Sequence, residues 1–126
     1  LNILGEKEEY LLAKVSVLFE LKRSDDCISL GERLLAENDL LADAYLNVGL
    51  SYYNKAVMLD KKSTNYAKQE AQIKGFYQKA RTYLESYRKL EPTDKEKWGY
   101  PLYTIYLNLN MGKEFDEIDK ILRSKS

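Results

Sequence analysis

The sequence predicts an all-α protein of about three antiparallel helix pairs stacked side by side, the central pair lengthened. Three observations predict it. Apolar residues recur at steps of three, four and seven, which gathers them on one face of a helix. Short polar breaks at residues 23–26, 38–39, 92–94 and 110–112 separate these stretches. The middle, from Ala42 to Asp94, carries an ordered signature: Tyr45, Val48, Gly49 and Tyr52, then Ala80, Leu84 and Pro92.

In chain order, residues 6–22 read as a first helix striped by Tyr10, Leu11, Val15, Leu18 and Phe19, with Gly5 as its boundary. A second helix covers residues 25–37, with Cys27, Leu30, Gly31, Leu34 and Leu35 on its stripe. Ser24 or Asp25 is placed to cap it by accepting a free backbone N–H. Asn38 and Asp39 end it, since Asn tolerates the left-handed conformation. The third helix runs from Leu41 past Ala56 and Leu59, and the fourth from Tyr66 through Ile73, Phe76, Tyr77, Ala80, Tyr83, Leu84, Tyr87 and Leu90. Their tip falls near residues 61–65, with Tyr66 and Ile73 expected to face Val57 and Leu59. Gly75 marks either a bend or a close crossing, because a helical Gly costs about 1 kcal/mol against Ala.

Thr93 followed three residues later by Glu96 reads as a capping box, so a fifth helix is expected from Lys95. Pro101 lacks an N–H, so that helix either kinks there or begins there. Leu102, Ile105, Tyr106 and Leu109 stripe it. A last helix opens at Lys113 and carries Ile118, Ile121 and Leu122.

The aromatic-x2-Val-Gly-x2-Tyr spacing at Tyr45, Val48, Gly49 and Tyr52, with Ala80, Leu84 and Pro92, resembles the tetratricopeptide repeat. Tyr45 replaces that family's Trp, and Leu84 its Phe. The resemblance implies a right-handed α-solenoid, with repeats at residues 6–39, 40–94 and 95–123 in a single domain of residues 1–126. Cys27 and Ile118 fall at the family's small Ala position. The first repeat departs most: Lys14 and Val15 stand where the family has Leu-Gly. Tyr52 and Ala80 also lie farther apart than the roughly nine positions of the family, so both central helices are expected to be extended.

Lys and Arg total 20, as do Asp and Glu, giving net charge zero. A nucleic-acid binder needs a basic face, so none is expected as partner. No apolar run reaches the 18 or so residues of a membrane span. There is no initiator Met and no leader-like start, so the chain is expected to be a segment of a longer one, its compartment left open.

His is absent, which removes imidazole couples and imidazole metal sites. The glycines are scattered and form no phosphate loop. Asp116, Glu117 and Asp119 read as charges favoured at a helix start. The single Cys27 reads as a small buried hydrophobe. Neither catalysis, metal nor cofactor is expected.

What remains is binding. In the family, first helices line a concave face. The candidate groove residues are Leu46, Asn47, Leu50, Tyr53 and Asn54, with Tyr103 and Leu107 from the fifth helix. Asp43, Thr104, Asn110, Leu12, Ser16 and Phe19 flank them. Eleven tyrosines suit a recognition surface. Some relatives hold an acidic chaperone tail with a Lys/Asn/Arg clamp; here Asn47 fits, but Leu12, Tyr103 and Thr104 stand where basic partners are needed. The expected function is capture of a peptide or protein segment in the groove. The alternative is a structural or oligomerising segment of a longer helical array using the extended hairpin, and a homo-oligomer fits that reading. Apolar residues exposed at the ends favour the alternative; a free groove favours the first.

Overall fold

A computed structural model describes residues 2–62 and 66–124. The described residues form α1 (Asn2–Glu20), α2 (Ser24–Glu37), α3 (Ala42–Lys62), α4 (Tyr66–Leu90), α5 (Lys95–Asn108) and α6 (Gly112–Arg123). The chain is all-α.

Packing follows chain order. Tyr45 meets Tyr83, Tyr52 meets Phe76 and Tyr53 meets Tyr77. Residue numbers rise on α3 as they fall on α4, so the two run antiparallel. At 21 and 25 residues they outreach the 14-residue α2 and α5. By length, α4 exceeds α5 by eleven residues, about 16 Å, and α3 exceeds α2 by seven, about 10 Å. Ala56 and Ile73 lie buried in this long hairpin. The tip residues 63–65 and the side chain of Tyr66 lie outside the described residues.

Three pairings press on a glycine, one of them at Gly99 of α5, where a Cβ would lie 2.7 Å from Leu122 Cδ2 of α6. A Cβ on Gly49 would lie 2.8 Å from Leu84 Cγ, and one on Gly31 would run into Val48 Cγ2. Leu84 of α4 thus packs onto the α3 backbone at Gly49, and Val48 of α3 packs onto the α2 backbone at Gly31. α1 also packs on α3, and α3 on α5, whereas α2 reaches α4 through the Glu32 carboxylate. Most of the core joins α3 to α6 around Leu84, Tyr87, Trp98, Leu102, Ile105 and Ile118. α1 and α2 share a smaller cluster, Val15, Leu18, Cys27 and Leu34.

Several local expectations are corrected. α1 runs from Asn2 through Gly5, and Tyr10 is exposed rather than on the buried stripe. Arg23, not Ser24 or Asp25, holds the N-cap of α2, with no side-chain cap. Asn38 is extended and accepts the Leu40 N–H instead of turning left-handed. The left-handed residues are Lys22 and Asn110, with φ 61° and 57°. Each closes its helix in the same way: Arg23 N–H reaches Leu18 O, and Met111 N–H reaches Tyr106 O, each at 2.9 Å. That is the six-to-one bond of a Schellman motif. Thr93 does not cap α5; Asp94 is its N-cap, and α5 continues through Pro101. A Cβ on Gly75 meets nothing within 4 Å, so no close crossing lies there, and α4 is continuous through it.

Candidate functional site

The candidate groove residues divide. Leu46 and Asn47 are each 8% exposed. Asn47 Nδ2 donates to Ser16 Oγ at 3.1 Å, joining α3 to α1, so its amide is already engaged. Leu50 and Tyr53 are half-buried against the core. The Tyr53 ring meets Tyr77 of α4 edge-on, at 6.3 Å between centroids. Tyr103 lies 4.6 Å from Phe115 of α6. The two rings therefore address different helices. Asn54 and Leu107 are exposed, Leu107 beside Tyr106, Asn110, Met111 and Phe115. Asp43 and Asn110 are exposed; Leu12, Ser16, Phe19 and Thr104 are half-buried.

Many tyrosines are tied within the fold. Tyr52 and Tyr83 stack at 5.9 Å, and both hydroxyls donate to Glu32 Oε2, at 3.2 and 2.7 Å. Tyr87 donates to Asp94 Oδ2 and Tyr106 to Glu85 Oε2, both at 2.6 Å. Tyr45 donates to the Asp39 carbonyl at 2.9 Å. In these residues an apolar ring packs between helices while the hydroxyl takes a carboxylate or carbonyl as acceptor. Burial first, then the Glu32 carboxylate, pushes the Tyr52 hydroxyl up to about 12. Tyr83, Tyr87 and Tyr106 are pushed above the usual phenol range, by burial first and then by the carboxylates they bond. The Tyr87 hydroxyl holds Asp94 below its ordinary value.

Uncovered apolar area lies at the other end of the molecule. Tyr10 is 66% exposed, Val17 54% and Leu21 61%. Spacings of seven and four put them on one side of α1 and its final turn. The signal was present in the sequence: these three lie off the Leu11, Val15, Leu18 stripe, so α1 is apolar on two sides. α6, at the far end, exposes Lys113, Asp116, Glu117, Lys120 and Arg123 instead. Leu40 and Tyr100 are as exposed, at 70% and 69%, but lie apart on other elements.

No group of three His, Cys, Asp or Glu among the described residues is placed to hold a metal ion, and no described helix is long and apolar enough to cross a membrane. Cys27 is buried and free, its thiol pushed up by burial. Comparison with known proteins found no matching family model, no matching curated protein and no matching solved structure.

Proposed function

We propose that this chain is a non-catalytic, protein-contacting segment of tetratricopeptide-like architecture that works through the apolar end of α1. The stacked-pair reading is supported by two features. α1, α3 and α5 pack on one another in order, and α1 and α5 end in the same left-handed closure. The contact reading is carried by one observation: Tyr10, Val17 and Leu21 are each more than half exposed on a single side. Singly scattered apolar residues are ordinary on surfaces, whereas three on one side of a helix fit an interaction site. The groove on the odd-numbered helices is the second reading, favoured by exposed Leu107 and Asn54. It has less to offer, because Leu46 and Asn47 are sealed within the chain.

The test compares two variants of the parent protein in quantitative affinity capture. One carries Tyr10→Gln, Val17→Gln and Leu21→Gln; the other carries Asn54→Ala and Leu107→Gln. Each exposed change should alter stability by no more than about 0.5 kcal/mol. The first variant is expected to lose its protein partner and the second to keep it. The reverse pattern would return the function to the groove.

A further inference from the structure

The exposed apolar side of α1 has two edges of opposite charge. Val15 is fully buried, and Val17, two residues on, lies about 200° round the helix and points away from the body. Tyr10 and Leu21 project within about 40° of Val17. Leu21 keeps the helical register, its N–H bonding Val17 O at 2.9 Å. Glu9 and Glu20 border this strip on one side and Lys7 and Lys14 on the other, all exposed. Among the described residues, none of these four charges joins a salt bridge. Beyond the acidic edge, α1 meets α3 through the uncharged Ser16 and Asn47. Beyond the basic edge lie Arg23 with Asp26 and Arg33 with Glu37, which cancel in sign. Glu8 sits about 100° behind Lys7 and accepts from Asn38 at 3.2 Å.

A strip with one acidic and one basic edge complements itself in one orientation. A two-fold axis parallel to α1 sets the acidic edge of each copy against the basic edge of the other. A two-fold axis across α1 opposes acid to acid and base to base, which is costly. Flanking Glu and Lys select partner and orientation in this way wherever two helices pair along an apolar seam. In the parallel arrangement Val17 meets Val17 and Tyr10 meets Tyr10. Glu9 then stands between Lys7 and Lys14 of the second copy, about 3 Å and 7.5 Å away along the axis. From Tyr10 to Leu21 the strip is about 16 Å long. Such a pair belongs to the small, transient class of interfaces, below about 1,200 Å² in total, so the edge charges weigh heavily in whether it forms.

We propose that α1 pairs in parallel with α1 of a second copy of this chain, Tyr10, Val17 and Leu21 at the centre and the Glu9–Glu20 edge of each copy against the Lys7–Lys14 edge of the other. The inference rests on the reading that the α1 end contacts protein, and names the partner. Two experiments on the parent protein test it. In the first, Tyr10→Cys and Leu21→Cys variants are oxidised separately and as a mixture; the native Cys27 is buried, and the unsubstituted chain is the control. Parallel pairing is expected to give a disulfide-linked dimer of each variant and no link between the two. A link formed only in the mixture would show an antiparallel pair and overturn the inference. In the second, sedimentation follows dimer formation in two charge variants. Glu9→Lys with Glu20→Lys makes both edges basic, and Lys7→Glu with Lys14→Glu makes both acidic. Each alone is expected to dimerise about tenfold more weakly, through several exposed charge pairs, and an equimolar mixture to recover the loss. Added salt should shrink these differences. Circular dichroism checks folding, and the corresponding Gln variants, expected to weaken the dimer by a smaller factor, replace any that fails to fold. Dimerisation indifferent to both charge variants would overturn the inference. A chain that stays monomeric, yet captures another protein through Tyr10, Val17 and Leu21, would also overturn it and leave the α1 contact reading standing. A monomer that captures nothing through these residues would take down both.

Discussion

A Cβ built on Gly49 falls 2.8 Å from Leu84 Cγ and 3.2 Å from Tyr83 Cβ, whereas one built on Gly75 meets nothing within 4 Å. The two glycines therefore predict opposite outcomes. Gly49→Ala should cost about 1–3 kcal/mol by overpacking. Gly75→Ala should stabilise by about 1 kcal/mol through helix propensity. Thermal melts of the two variants check both signs. Glu32 is the other residue whose loss should be felt. Glu32→Ala leaves the Tyr52 and Tyr83 hydroxyls without their acceptor, at about 2 kcal/mol, while Glu32→Gln keeps an acceptor oxygen and should cost less. The role of Gly49 was legible in the sequence because its spacing from Tyr45, Val48 and Tyr52 puts it on the apolar face. Glu32 was not, because a carboxylate on an amphipathic helix carries no mark of which tyrosines will reach it. The same tyrosines set the response to alkali. The folded pKa values of Tyr52, Tyr83, Tyr87 and Tyr106 are raised. Above about pH 10 the unfolded chain gives up protons that the folded chain keeps, so stability falls as pH rises. It is fully present below about pH 10 and is lost as pH climbs through the folded values. Denaturant titrations across that window should show the loss, and Glu32→Gln should soften it. Asp94, whose pKa is lowered, acts in the other direction: its contribution is present above about pH 4 and fades as acid passes its folded value.

At the scale of elements, the helices were legible and their ends were not. Apolar periodicity located every helix, because burying one stripe dominates the energetics. Caps depend on single dihedrals, and there the chain departs from preference. Lys22 takes the left-handed conformation at φ 61° where Gly is the usual choice. Lys22→Gly should therefore raise the melting temperature, by about 1 kcal/mol of relieved strain. Pro101 was read as a kink or a start; α5 passes through it, which removes the start, with Trp98, Leu102 and Ile105 holding the helix in the core on both sides. The long hairpin is buried at Ala56 and Ile73, close to its tip. Ile73 is 1% exposed, so Ile73→Ala should cost about 2–5 kcal/mol if the hairpin melts with the rest. A smaller change in global unfolding would show that it opens as a unit of its own. α1 and α2 rest on a four-residue cluster separate from the larger core. Native-state hydrogen exchange should find α1 opening first, with α4 and α5 protected longest.

Over the whole molecule, the all-α succession of helices was legible in the sequence, whereas the burial of the candidate groove residues was not. Spacing places Leu46 and Asn47 between stripes, but Leu46 joins the core shared by α3 to α6 and Asn47 bonds Ser16 of α1, and a neighbour's distance is not written in a helix's own period. The same geometry leaves Tyr10, Val17 and Leu21 on the far side of α1 with no described residue over them. Covering that side adds contacts to the least buttressed helix pair, so a bound partner should raise α1 protection by mass action. The most direct measurement is site-specific photo-cross-linking in the parent protein, with a benzophenone side chain at Val17 in one sample and at Asn54 in another. A partner cross-linked from Val17 and absent from Asn54 is the predicted result. Cross-links from Asn54 with none from Val17 would contradict the account and place the contact in the groove of the odd-numbered helices.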